Sequence, residues 1–109
     1  MKLVGRVPLA ELAGGAMVRL PYPPFDVVVG LVDGKPHAIE DACNHSGASL
    51  CDGALRGERL SCPMHGYVFS IRTGALLAPK GLCRDQVRYE ARVEGGEVVV
   101  FDPHEIVVR

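Results

Sequence analysis

Strand signals dominate the pattern of apolar and polar positions along this chain. Phe25-Asp26-Val27-Val28-Val29-Gly30-Leu31-Val32 runs into Asp33-Gly34, and Lys35 to Glu40 leads away again. Asp-Gly supplies the positive φ angles that a two-residue turn demands, so this stretch predicts a hairpin. A second hairpin is predicted for Tyr67 to Ile71 and Ala75 to Leu77 around Arg72-Thr73-Gly74. A third runs from Val87 to Val93 and from Glu97 to Phe101 around Glu94-Gly95-Gly96. In the third, Arg88, Glu90 and Arg92 alternate with Val87, Tyr89, Ala91 and Val93, which predicts a charged face and a core face. Only Leu9-Ala10-Glu11-Leu12-Ala13 offers a helical turn, and Gly14-Gly15 ends it. The expected fold is all-β: an antiparallel barrel or sandwich with a subdomain inserted from about Ala42 to Leu82.

Within that insertion lie two short clips, Cys43-Asn44-His45 and, sixteen residues further on, Cys62-Pro63-Met64-His65. Each offers one thiolate and one imidazole, so the chain holds four metal donors on two loops. Two chemistries use this set. Thiolates on one iron and imidazoles on the other give the ligation of a Rieske 2Fe-2S centre. A Cys2His2 zinc site uses the same four donors on one ion, although familiar zinc patterns pair Cys with Cys and His with His.

The clips resemble those of the Rieske family, and neighbouring residues extend the resemblance. Gly66 follows the second His, Gly47 follows the first by two, and Arg72-Thr73-Gly74 sits where small Rieske ferredoxins turn back. Ala78-Pro79 is similar to the proline loop that covers the cluster in that family. The resemblance spans about Asp26 to Phe101, and the four donors carry nearly all its specificity. It implies a Rieske-like fold with a cluster-binding subdomain, one 2Fe-2S cluster per chain, Cys43 and Cys62 on an inner iron, and His45 and His65 on an outer iron near the surface. In high-potential Rieske proteins a disulfide joins the positions that are Ala48 and Met64 here. Hydroxyl donors occupy the positions that are Tyr67 and Phe69 here. The resemblance therefore implies a potential toward the low end of the family range.

Composition narrows the reading further. At 109 residues the chain is expected to be one domain, residues 1–109, and 48% apolar content fits an ordered globular fold. A net charge of −1 without a basic stripe makes neither nucleic acid nor a membrane surface an expected partner. Met1 to Pro8 has no long apolar stretch, and no segment approaches the ~20 apolar residues of a membrane helix, so a soluble cytoplasmic protein is expected. Cys51 and Cys83 read as small apolar thiols, and His37 and His104 as strand or tail residues. Asn44 and Gln86 are the only side-chain amides in the chain.

No nucleophile or acid–base pair suggests catalysis, so an electron carrier is expected rather than an enzyme. The resemblance to the ferredoxin components of aromatic ring-hydroxylating dioxygenases implies a low-potential shuttle, with a flavin-dependent reductase and a terminal oxygenase as partners. Two alternatives stand beside it. One is a Rieske-like small subunit held by the large subunit of an assimilatory nitrite reductase, and the other is a zinc-stabilised interaction module.

Overall fold

The computed structural model describes residues 1–104 and consists of two antiparallel sheets. The larger is formed by β1 (Lys2–Pro8), β2 (Val18–Leu20), β3 (Val27–Val32), β4 (Lys35–Glu40), β9 (Arg88–Glu94) and β10 (Glu97–Asp102), in the order β1-β10-β9-β4-β3-β2. It curls into a near-barrel: Gly5 of β1 lies against Leu20 of β2, so the two outer strands face each other. The smaller sheet, β5 (Ala54–Arg56), β6 (Arg59–Ser61), β7 (Val68–Ser70) and β8 (Leu76–Ala78), is inserted between β4 and β9. The all-β expectation and the inserted subdomain are both met.

The predicted hairpins form. β3 and β4 pair in register from Val27↔Glu40 to Val32↔Lys35, and the turn residues Asp33 and Gly34 have φ of 51° and 77°. β9 and β10 turn on Gly95-Gly96, with Glu94 still in the strand. The expected core face of β9 is only partly realised: Tyr89 and Ala91 pack inward, but Val93 stays 45% exposed. β9 pairs with β4 only through Arg88 and Tyr89, so its second half has no strand on that side to cover it. The helical turn exists as 3-10 structure within Leu9–Gly15 that fully buries Leu12, and it is broken where Ala13 (ψ 149°) and Gly14 (φ 69°) leave helical geometry.

The run of valines in β3 has a structural reason. Alternate residues of a strand face opposite ways, and both faces of β3 are covered. Val27 and Val29 join Val7, Leu20, Val98 and Val100 inside the barrel. Val28 points outward, with Ile39, into a second core made with Leu50, Leu60, Phe69 and Ile71 of the inserted subdomain. Gly30 permits this contact, because a Cβ there would lie 2.8 Å from a Leu55 methyl. Cys43 and Cys62 belong to this second core, which fixes where the two clips meet.

Candidate metal centre

The first clip leaves the end of β4 and the second occupies the loop between β6 and β7. Packing of the second core brings their tips together. Cys43 and Cys62 are 2% and 3% exposed, and their sulfurs lie close enough to interact. His45 and His65 are exposed, with ring centroids 5.6 Å apart. The four donors thus form an inner pair of thiols and an outer pair of imidazoles. His65 holds a φ of 65°, a left-handed conformation uncommon for a residue with a Cβ and characteristic of functional loops.

Hydrogen-bond donors surround the sulfurs. Burial opposes ionisation of Cys43, but the Ser46 N–H, the Ser46 hydroxyl and the His45 N–H outweigh it and hold this thiol below its ordinary range. Burial pushes the Cys62 thiol up, against the pull of the Ser46 hydroxyl and the Met64 N–H. Ser46 Oγ stands 3.5 Å from Cys62 Sγ. Sequence reasoning missed Ser46 as a sulfur partner; its hydroxyl reaches Cys62 of the other clip as well as Cys43 beside it.

Two further residues gain roles that spacing did not disclose. Tyr67 stacks flat on His45, with centroids 4.0 Å apart and an interplanar angle of 7°, while Phe69 is fully buried in the second core. Gln86 ties the first clip to the barrel. Its amide oxygen accepts from the Asn44 N–H at 2.9 Å and from the Asn44 side chain, and its Nε2 donates to the carbonyls of Glu40 and Ala42. The two side-chain amides of the chain are therefore bonded to each other, a pairing across 42 positions that the sequence reading did not anticipate.

The remaining cysteines and histidines take other places. Cys51 and Cys83 are half-buried beside the second core, and all four cysteines are free. Burial pushes both of these thiols up. Cys83 lies on the loop after Pro79, and the Arg84 carbonyl of that loop accepts from the Asn44 side chain, which ties the loop to the first clip. His104 meets the Arg88 carbonyl, and His37 lies on β4.

The clip donors are divided into a buried sulfur pair and an exposed imidazole pair, and this division fits one of the two candidate chemistries better. Tetrahedral zinc requires four donors at about 2.0–2.3 Å from a single point. A two-iron cluster requires only two protein donors at each of two points, a sulfur pair and a nitrogen pair, and this is how the clips are divided.

Comparison with known proteins agrees. The Rieske 2Fe-2S domain matches residues 7–81. The chain is 30% identical over 108 residues to the ferredoxin subunit of 3-phenylpropionate/cinnamic acid dioxygenase from Escherichia coli strain K12, covering 94% of this chain and 96% of that one. The ferredoxin of carbazole 1,9a-dioxygenase from Nocardioides aromaticivorans superposes with a TM-score of 0.82 at 27% identity, covering 94% of this chain and 99% of its own. A structure of reduced oxygenase with oxidised ferredoxin in carbazole 1,9a-dioxygenase matches with a TM-score of 0.80 at 28% identity, over 98% and 96% of the chains. No helix among the described residues is long and apolar enough to cross a membrane. This chain belongs to the Rieske 2Fe-2S family: it is an electron-carrying domain that holds a 2Fe-2S cluster, and not a catalytic subunit.

Proposed function

We propose that this chain is a single-domain, low-potential shuttle of the cytoplasm that takes single electrons from a flavin-dependent reductase and delivers them to a terminal oxygenase. The observation that carries this reading is the division of the clip donors into buried thiols and exposed imidazoles. When bound, the cluster supplies a reversible one-electron couple. Cys43 and Cys62 would hold the inner iron as thiolates, with the N–H groups of His45, Ser46 and Met64 offsetting the charge on sulfur. His45 and His65 would hold the outer iron as neutral rings at the surface, where a partner can approach.

Substituting two neutral imidazoles for two thiolates removes two negative charges from the centre. That places Rieske potentials between about −150 and +300 mV. Phe69 offers no hydroxyl and the Tyr67 ring lies on His45, so the midpoint is expected below about 0 mV. The relatives are named as ferredoxins of dioxygenases, and one was seen with its oxygenase, which favours an oxygenase partner over the nitrite reductase alternative.

Purified protein should contain two irons and two acid-labile sulfides and give a rhombic electron-spin signal only on reduction. Cys43→Ser, Cys62→Ser, His45→Ala and His65→Ala should each lose the cluster or much of its occupancy, whereas Cys51→Ser and Cys83→Ser should keep it. Stoichiometric zinc in protein made with ample iron would overturn the reading. A partner complex that survives gel filtration would replace the shuttle with a fixed subunit.

A further inference from the structure

A cleft of about 580 Å³ opens where the two sheets meet, at the end of β7 opposite the second clip. Its polar lining comes from both sheets: Lys35 and His37 from β4, Arg88 from β9, Arg72 and Thr73 from the turn after β7, and Asp33 from the β3–β4 turn. Lys35 and His37 are two apart on one strand and so share a face. Three fixed cations against one carboxylate leave the lining with two net positive charges.

The nearby acids offset it only in part: at the His37 ring, the charges of Arg72, Arg88 and Lys35 act against that of Glu58 alone. Glu58 meets only Nε of Arg72, at 3.3 Å, and Glu90 only one terminal nitrogen of Arg88, at 3.7 Å. Both pairs are about half exposed, where ion pairs are weak, and each guanidinium keeps donors to spare. Thr73 Oγ1 accepts from the Ala75 N–H at 3.2 Å, which leaves its own proton free to donate. Among the described residues no hydrogen bond holds the His37 ring. Burial holds its pKa below the ordinary value, aided by Arg72, Arg88 and Lys35 and opposed by Glu58. A cleft lined by donors and cations suits an anion, and planar guanidiniums suit the paired oxygens of phosphate or carboxylate.

We propose that this cleft binds a small dianionic molecule, either a phosphate or a dicarboxylate, gripped by Arg72 and Arg88 and completed by Lys35, His37 and Thr73. The site lies apart from the clips and does not depend on what they hold. Because its walls come from both sheets, an occupant would tie the inserted subdomain to the barrel and raise the stability of the whole chain by linkage.

The test is an NMR titration of His37 in the oxidised holoprotein with inorganic phosphate, with malonate, and with sodium chloride at matched ionic strength. Phosphate, malonate or both should saturate and raise the His37 pKa by about half a unit or more beyond chloride, since a bound anion favours the charged ring; which of the two does so identifies the source of the charge. The double variant Arg72→Gln/Arg88→Gln should weaken binding at least about tenfold with the visible spectrum unchanged. Should that variant fail to fold, Lys35→Gln/His37→Gln should abolish the rise in melting temperature that phosphate produces in the unmodified protein. Equal shifts in chloride, or unaltered binding by a folded arginine variant, would show general screening and overturn the proposal. Tight binding of a polyglutamate peptide that phosphate cannot displace would also overturn it, in favour of an acidic protein surface.

Discussion

Replacing Gln86 tests whether one buried side chain holds the first clip in place. Gln86 is 3% exposed and makes four hydrogen bonds through its amide, two to Asn44 and two to the carbonyls of Glu40 and Ala42 at 2.9 and 2.7 Å. Gln86→Ala removes all four. At about 1 kcal/mol net for each bond the scale is near 4 kcal/mol, and a water entering the vacated polar site recovers part of it, so a loss of about 3 kcal/mol is expected. Urea unfolding followed by circular dichroism should show the midpoint falling by roughly 2 M at an m-value near 1.5 kcal/mol/M. Because Asn44 lies between Cys43 and His45, the visible absorbance should also decay faster than in the unmodified protein.

Gln86→Glu keeps the shape and changes the sign of two contacts, since the new oxygen faces the Glu40 and Ala42 carbonyls where Nε2 donated. The carboxyl is then favoured in its protonated form, and its folded-state pKa rises above the ordinary value near ~4.3. The native state holds a proton that the unfolded chain has released, so stability should fall as pH rises from about 5 to 8. A loss below about 1 kcal/mol for Gln86→Ala, or a pH-independent Gln86→Glu, would refute the clamp.

Other perturbations reach different parts of the molecule. Ser46→Ala removes the hydroxyl 3.5 Å from Cys62 Sγ and should lower the midpoint potential by on the order of 50 mV, measured by redox titration; an unchanged potential would mean this contact does not bear on the reduced state. Met64 is 50% exposed beside His65, and Met64→Asp should slow electron delivery to the partner in stopped-flow mixing without altering the visible spectrum. Full transfer rates in that variant would move the electron's exit elsewhere. Burial opposes ionisation of Asp102, but the Tyr22 hydroxyl, the His104 N–H, and the charges of His104 and Lys2 outweigh it and hold its carboxyl below the ordinary range. Its contribution is therefore present above the unfolded pKa of ~3.9 and is lost as pH falls through the folded value. Tyr22→Phe should cost about 1 kcal/mol at pH 7 and progressively less toward pH 3, and a penalty that persists in acid would assign the loss to packing instead.

The sequence by itself determined the parts of this protein that depend on residue type and near neighbours. Asp33-Gly34 and Gly95-Gly96 specify tight turns whatever surrounds them, and the alternation on either side supplies the strands. Mixed Cys and His clips specify donor chemistry in the same local way. Three-residue strands carry too short a pattern by themselves: β7 and β8 were legible through the Arg72-Thr73-Gly74 turn, whereas β5 and β6 escaped notice, and so did β1, whose partners, such as Asp102 for Lys2, lie at the far end of the chain. The tertiary structure alone decided what meets across long separations: the Ser46 hydroxyl beside Cys62, Tyr67 stacked on His45, and Gln86 bonded to Asn44 across 42 positions. It also divided the four donors into a buried pair and an exposed pair. The physical reason is that a donor's chemistry belongs to the residue, whereas its burial and its partners are set when Val28 and Ile39 of the barrel pack against Leu60, Phe69 and Ile71 of the inserted subdomain.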